Sequence, residues 1–326
     1  MNSVVLVTGI CGGLAGRLAR SLVADPTVDK VVGIDTVPPR RAVVGVKFVS
    51  ADIRNPVLSQ VLATEDVDTV VHLAVRPAAG RRYGRPSPPN ESNLAGAMQL
   101  LAACQRAPAV RKLVLKSSTA VYGASPSDPA MFTEEMEPRR SPTGGFAKDC
   151  VEVEGYLRGL GRRRPDLLLT TLRLADLLSP TLDTPLGRYL RLPVAPTVLG
   201  HDPRFQVLHE DDAAAVLHRA VTHDIAGTYN VAADGILVLS QVLGRLGRPA
   251  LPVPSSGLPA LRPLGVELPD DMTRFLTYGR GVDTTALRTR FGYRTQHSSA
   301  STLDEFAGSV RTAATSRTAH GRVTAG

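Results

Sequence analysis

The sequence predicts an α/β protein in which a doubly wound parallel sheet carries helices on both faces and a smaller unit follows. Three observations predict it. The chain opens with an apolar, β-branched run, Val4 to Val7, that stops at Gly9, Gly12 and Gly13 and passes straight into an amphipathic run. Short apolar runs then alternate with helical periods as far as Leu178. Beyond Leu178 the alternation gives way to proline-rich sequence without a clear period. Alternating strands and helices imply parallel strands joined by right-handed crossovers.

Residues 3–8 read as a buried strand and about 14–24 as its helix, which Asp25-Pro26 ends because proline cannot continue a helix. At that junction, main-chain N–H groups with no Cβ in the way favour a pyrophosphate. Gly9 supplies the turn, Gly12 lets the backbone approach the phosphates, and Ala15 stands where a third small residue allows close helix–strand packing. Cys11, Gly13 and Leu14 complete this cofactor loop. Residues 30–35 form the second strand and end in Asp35, twenty positions after Ala15, where a carboxylate meets the adenosine ribose hydroxyls and repels a 2′-phosphate. NAD is therefore expected over NADP, although Arg40 and Arg41 lie close by and suit that phosphate.

Residues 46–50 are the third strand, and Asp52 and Ile53 follow at the carboxyl edge of the sheet. Residues 68–74 are the fourth. His72 interrupts its apolar run and reads as a buried, satisfied histidine rather than a ligand or base. The basic, proline-rich stretch 76–89, with Arg81, Arg82 and Tyr83, reads as a solvated loop or, more sharply, as a lid over an anionic ligand. A helix over about 91–105 and a strand over 111–118 follow, then a turn over 119–123 and a loop over 125–145. Next come a helix over about 146–162, whose arginine-rich end suits the negative end of its dipole, and a strand over 167–174. Residues 180–204 show no period. The stretch from Phe205 to Asp212 opens a helix reaching about Val221, residues 227–231 are a further strand, and a last helix lies near 302–311. The dinucleotide unit is thus expected over 1–178 with 205–235 returning to it, the substrate unit over 179–204 and 236–311, and a disordered tail over 312–326.

Composition narrows the function classes. With 326 residues, 43% hydrophobic and 21% charged, the chain has ample core for a globular protein. It contains no apolar run of about 18 residues, so no membrane span is expected. Met1 leads directly into the first strand, which leaves no room for a signal peptide. The three cysteines, Cys11, Cys104 and Cys150, are scattered and lack metal-site spacing, which fits reduced thiols, a cytoplasmic location and no metal. Net charge is +8, but the arginines are dispersed and no nucleic-acid module is visible, so the expected partner is a small molecule, with an anionic one in view.

The motifs recur in one order: Thr8-Gly9 to Gly12 with Asp35, Asp52-Ile53, residues 71–74, Asn93, Ser117-Ser118 to Tyr122-Gly123, His209 to Asp212, residues 229–231, and 282–293. In that order they resemble the extended short-chain dehydrogenase/reductases, the NAD-dependent epimerase/dehydratase family. The resemblance covers most of the chain. It implies a Rossmann-type sheet of about seven strands, a small C-terminal α/β substrate domain, an active site between them and, by analogy, a homodimer. It further implies that Gly9, Gly12 and Ala15 hold pyrophosphate and Asp35 the ribose, that Asp52 and Ile53 flank adenine, and that Leu73 and Ala74 line the dinucleotide. Ser118 takes the position of the catalytic hydroxyl and Lys148 that of the lysine on the nicotinamide ribose.

Two departures qualify the resemblance. The family pattern places a tyrosine four residues before the lysine, and here that residue is Gly144. A phenol of pKa about 10 beside an ammonium gives and takes a proton, which glycine cannot do. Three accounts stay open. Another group serves, with Tyr122 and Tyr83 as candidates and Tyr156, two turns beyond Lys148, badly placed. Alternatively, the pocket runs a non-redox isomerisation, elimination or cyclisation around a structural cofactor. In the third account the chain senses NAD(H) without catalysis. The second departure is Phe205, where nucleotide-sugar enzymes of the family carry an arginine four residues before the histidine; Arg204 is one residue off and is the substrate-binding candidate, with Tyr83 and Ser118.

Overall fold

A computed structural model describes residues 3–39, 42–75, 77, 91–255, 257 and 270–323. In chain order the first part runs β1 (Ser3–Thr8), α1 (Gly13–Val23), β2 (Val28–Asp35), β3 (Val46–Ser50), α2 (Val57–Thr64), β4 (Thr69–His72), α3 (Glu91–Arg106), β5 (Lys112–Ser118), α4 (Gly145–Arg163) and β6 (Leu168–Leu174). There follow β7 (Asp176–Leu178), α5 (Pro185–Leu190), β8 (Ala195–Val198), β9 (Arg204–Phe205), β10 (Val207–His209), α6 (Glu210–Thr222) and β11 (Gly227–Val231). The last part is β12 (Leu237–Val238), α7 (Leu239–Leu246), β13 (Ala250–Val253), α8 (Asp270–Tyr278), α9 (Thr285–Thr289) and α10 (Ser299–Val323).

Seven strands form one sheet in the order β11-β6-β5-β4-β1-β2-β3, with every neighbouring pair parallel. The chain moves outward from β1 to β3, then returns to build β4 on the other side of β1. That reversal leaves a crevice at the carboxyl ends of β1 and β4, where ligands of doubly wound sheets bind. Val5, Leu6 and Val7 of β1 are wholly buried. A strand covered on both faces reads as a continuous apolar run for that reason, and each such side chain stabilises the fold by roughly 1.5–3 kcal/mol. Helix α1 buries Leu14, Ala15, Leu18, Ala19 and Leu22, the stripe that turns it against the sheet.

A second core gathers residues from later in the chain, including Leu186, Tyr189, Phe205, Leu243, Phe275 and Phe306. Local structure departs from the sequence reading in three places. The stretch from Phe205 to His209 is extended rather than helical: Val207 to His209 pair in parallel with Asp176 to Leu178. The helix begins at Glu210 because His209 caps it, its Nδ1 accepting from Asp211 N at 3.2 Å. Within 180–204, the aperiodic stretch, Thr184 Oγ1 accepts from Gly187 N at 3.0 Å and Pro185 starts α5. Residues 312–323, expected as a disordered tail, continue α10; they hold alanine and arginine and no proline.

Candidate active site

The glycine loop lies at the carboxyl end of β1. Gly9 turns the chain with φ +72°, a conformation that favours glycine. Its N–H donates to Ile34 O at 2.8 Å, and Cys11 N donates to Asp35 Oδ2 at 3.1 Å, so the loop is fastened to the end of β2. Gly12 is the extended residue before α1, and that helix has no side-chain cap. An uncapped start presents main-chain N–H groups and the positive end of the helix dipole to whatever lies in front of it. A Cβ at Gly13 would collide with Leu182, and one at Gly33 would sit 2.6 Å from Ile10 Cγ1, so backbone and side chain meet closely on both sides of the loop. Leu14 and Ala15 are buried behind it. Asp35 stands at the end of β2 with Thr36 N on its Oδ1 at 2.9 Å.

Beyond β3, the Arg54 side chain hydrogen-bonds Asp52 and holds its carboxyl below the usual range. Ile53 packs on α3, where a Cβ at Gly96 would lie 2.5 Å from Ile53 Cδ1. At the end of β4, Thr8 Oγ1 is 2.7 Å from His72 Nδ1 and accepts from Leu73 N at 3.3 Å. His72 is thus a buried histidine tying β1 to β4, as its apolar setting predicts. Leu73 is buried and Ala74 half-buried in front of it.

Ser118 ends β5 half-buried, and its Oγ accepts from Ala120 N at 3.1 Å. Lys148 lies in the first turns of α4, exposed, with Nζ 3.6 Å from Glu152 Oε1. Gly144 caps that helix in extended conformation, and a Cβ there would meet nothing within 4 Å. Gly145 is the constrained partner: its φ is +67°, and a Cβ would collide with the Asp271 carboxylate. Asp271 Oδ2 accepts from Ala147 N at 3.1 Å and so caps α4 from the C-terminal part of the chain. Neither shape nor backbone angle requires glycine at 144.

Tyr122, a catalytic candidate from sequence, belongs to the core instead. It is 1% exposed, and its ring stacks on Phe132 at 4.5 Å. Its hydroxyl accepts from Arg173 Nη1 at 2.7 Å and lies 2.8 Å from Asn230 Oδ1 and 3.1 Å from Thr133 O. Burial pushes its pKa up, away from acid–base work near neutrality. Arg173 in turn meets Glu154 Oε2 at 2.7 Å. Arg204 points its Nη1 at Ala130 O, 3.0 Å away, and Phe205 is buried on Phe275 with ring centroids 4.8 Å apart. Tyr83, Arg81, Arg82, Arg40 and Arg41 lie outside the described residues.

The structure adds groups that the sequence reading missed. Lys116, two residues before Ser118 and hence on the same face of β5, donates to Val75 O at 2.8 Å and sits 6.0 Å from the Phe146 ring. A second lysine in β5, after the apolar run Leu113 to Leu115, was the available signal. Asp149, next to Lys148, accepts from Asn93 Nδ2 at 2.9 Å, and burial pushes its carboxyl up. Arg280, 7% exposed in its side chain, joins Gly123, past the turn that follows β5, to Asp176 at the start of β7, and no local pattern announces it.

Among the described residues, one group offers metal-type ligand atoms within 4.8 Å of one another: His209, His297 and Glu305. The two imidazoles stack at 3.9 Å with planes 25° apart, which directs their in-plane lone pairs alongside rather than toward a common point. Asp211 N already donates to His209 Nδ1, and His297 Nδ1 lies 3.0 Å from Asp212 Oδ2. This cluster ties the start of α6 to the C-terminal segment. Among the described residues no helix is long and apolar enough to cross a membrane.

An uncapped helix facing a parallel-sheet crevice, with an acid at the end of the second strand, defines a dinucleotide-type α/β protein. The chain belongs to the NAD dependent epimerase/dehydratase family, whose model matches residues 5–232. It is 46% identical over 312 residues to an uncharacterized protein of Mycobacterium tuberculosis, covering 93% of this chain and 83% of that one. A UDP-glucose 4-epimerase of Yersinia pestis is 31% identical over 125 residues, 38% of this chain and 36% of that one. Among solved structures, a UDP-glucose-4-epimerase of Stenotrophomonas maltophila with bound NAD superposes with a TM-score of 0.73 at 20% identity, covering 97% of this chain and 99% of that one. A dTDP-glucose 4,6-dehydratase of Bacillus anthracis in complex with NAD gives 0.72 at 15% identity, covering 95% and 97%.

Proposed function

We propose that the protein is an NAD-dependent enzyme that acts on a hydroxyl- or carbonyl-bearing small molecule by acid–base chemistry without the family's tyrosine. The carrying observation is the uncapped start of α1 behind Gly9, with Asp35 joined through Cys11 N to the same loop. These groups fit a dinucleotide: backbone donors for its pyrophosphate, a carboxylate for its ribose, and Ile53, Leu73 and Ala74 along its length. Family membership and NAD-bound neighbours of the same fold support that reading. When bound, the nicotinamide supplies a hydride acceptor or donor.

The chain's own residues have three tasks. Ser118 Oγ hydrogen-bonds the reacting oxygen and orients it. Lys148 leaves Glu152 to hold the nicotinamide ribose, a single side-chain rotation on an exposed helix face. The proton passes to water or to a group other than Tyr122, since Gly144 is bare and Tyr122 is engaged elsewhere. The test is identification of the nucleotide released on denaturation and titration of the protein with NAD and NADP. Saturable NAD binding tighter than NADP is expected; affinity for neither would end the reading.

A further inference from the structure

The pairing of β4 with β5 ends at His72 opposite Leu115, whereas β5 runs on beside β6 as far as Ser118. Lys116, Ser117 and Ser118 therefore project beyond the end of β4, at the side of the crevice. Alternation along the strand divides them: Lys116 and Ser118 share one face, about 7 Å apart at Cα, and Ser117 takes the other. Burial follows the same division. Ser117 is 2% exposed and donates to Glu154 Oε1 at 2.6 Å, whereas Lys116 and Ser118 are both half-buried. The Lys116 ammonium meets two further segments. Its Nζ donates to Val75 O at 2.8 Å, one residue past Ala74, and lies 6.0 Å from the centroid of the Phe146 ring, which stands between Gly144 and Lys148 in the chain. Val75 O is neutral, so this bond fixes the ammonium without cancelling its charge. One cation thus lies where the end of β5, the segment after β4 and the head of α4 come together.

We propose that Lys116 is a catalytic residue of this site: its ammonium stabilises the negative charge that develops on the substrate oxygen bound by Ser118. This rests on the reading of the crevice as the site of an NAD-dependent enzyme. A phenol at residue 144 would take the hydroxyl proton itself. A fixed cation instead lowers the cost of the oxygen anion while the proton goes to water. Ser118 Oγ accepts from Ala120 N, which leaves its own hydrogen to donate to the same oxygen. In the oxidative direction the substrate hydroxyl gives its proton to water, and the carbon then gives a hydride to the oxidised nicotinamide and becomes a carbonyl. Reduction runs the same course backwards, with water returning the proton.

A cation placed there repels the positively charged nicotinamide of NAD but not the neutral ring of NADH, so the two forms report its position without a substrate. The experiment is calorimetric titration of the full chain with each. The unaltered protein is expected to bind NADH at least about tenfold more tightly than NAD, from two like charges roughly 8 Å apart at an effective dielectric near 20. Lys116→Gln keeps a donor for Val75 O and removes the charge. The preference is expected to fall to about threefold or less, with melting temperature as the control for folding. Lys116→Arg keeps the charge and is expected to keep the preference. Equal affinity for the two forms in the unaltered protein overturns the proposal, even where Lys116→Gln fails to fold. So does a Lys116→Gln protein that melts normally and retains the full preference. The two readings separate cleanly: binding of neither form defeats the cofactor reading and the proposal with it, whereas binding of both without preference defeats the proposal alone.

Discussion

Arg17 Nη2 lies 2.8 Å from Glu210 Oε1, joining α1, the helix that starts at the glycine loop, to the first turn of α6, 193 residues later. Glu210 also accepts from Thr181 Oγ1 at 2.8 Å and from Ser179 Oγ. Leu182, on the same segment, covers Gly13. One carboxylate thus fixes α1 against the chain that leads into the second core.

Burial acts to raise the Glu210 pKa, but the Ser179, Thr181 and Arg17 hydrogen bonds outweigh it and the group sits below its ordinary 4.5. An acid depressed on folding adds stability above its unfolded value and loses it as pH falls through the folded one. Glu210→Gln is therefore expected to cost about 1–2 kcal/mol at pH 7, discounted for the partly exposed Arg17. Denaturant titrations below pH 4 should show the gap between the two proteins closing.

Gly144 and Gly145 are adjacent and should respond oppositely. Gly145→Ala forces a Cβ into the Asp271 carboxylate at φ +67° and is expected to cost about 1–3 kcal/mol. Gly144→Ala meets open space and is expected to stay within about 0.5 kcal/mol of the unaltered protein. Thermal melts of the two variants decide it; equal losses would show that the head of α4 is not built as described.

Tyr122→Phe deletes a hydroxyl shared by Arg173, Asn230 and Thr133 while leaving the Phe132 stack intact. The expected effect is a loss of about 1–3 kcal/mol in stability from the unpaired buried partners. The pH profile of turnover should not move. A displaced profile at unchanged stability would return Tyr122 to the chemistry.

Ser118→Ala is expected to lower kcat by about 10²-fold or more while NAD affinity holds. Lys148→Ala is expected to weaken NAD binding several-fold. Kinetics alongside NAD titration separates the two, and normal turnover in both variants would discard these roles.

Much of this was legible in the residues. The glycine loop, Asp35 and the order of strands follow from local rules: an apolar run buried on both faces, a turn that needs positive φ, a helix with a single apolar stripe. His72 read correctly as a core residue because a polar atom inside a buried strand must find a partner, and Thr8 supplied it. Tyr122 was misleading because its four-residue spacing from Ser118 shows proximity in the chain but not where the ring points. The strands at Phe205 to His209 were missed because pairing of Phe205 with Leu237 and of Val207 to His209 with Asp176 to Leu178 overrides a helical pattern, and such pairing is a long-range event.

By itself the sequence determined the doubly wound sheet, the glycine-rich turn into the first helix and the absence of a phenol at residue 144, since each depends on residues adjacent in the chain. Only the tertiary structure decided that Asp271 caps α4 beside that glycine, that Arg280 is balanced by Asp176, and that Glu210 holds α1. These pairs are separated by roughly a hundred residues or more, and their charges interact only because folding brings them within a few ångströms in a medium less polar than water.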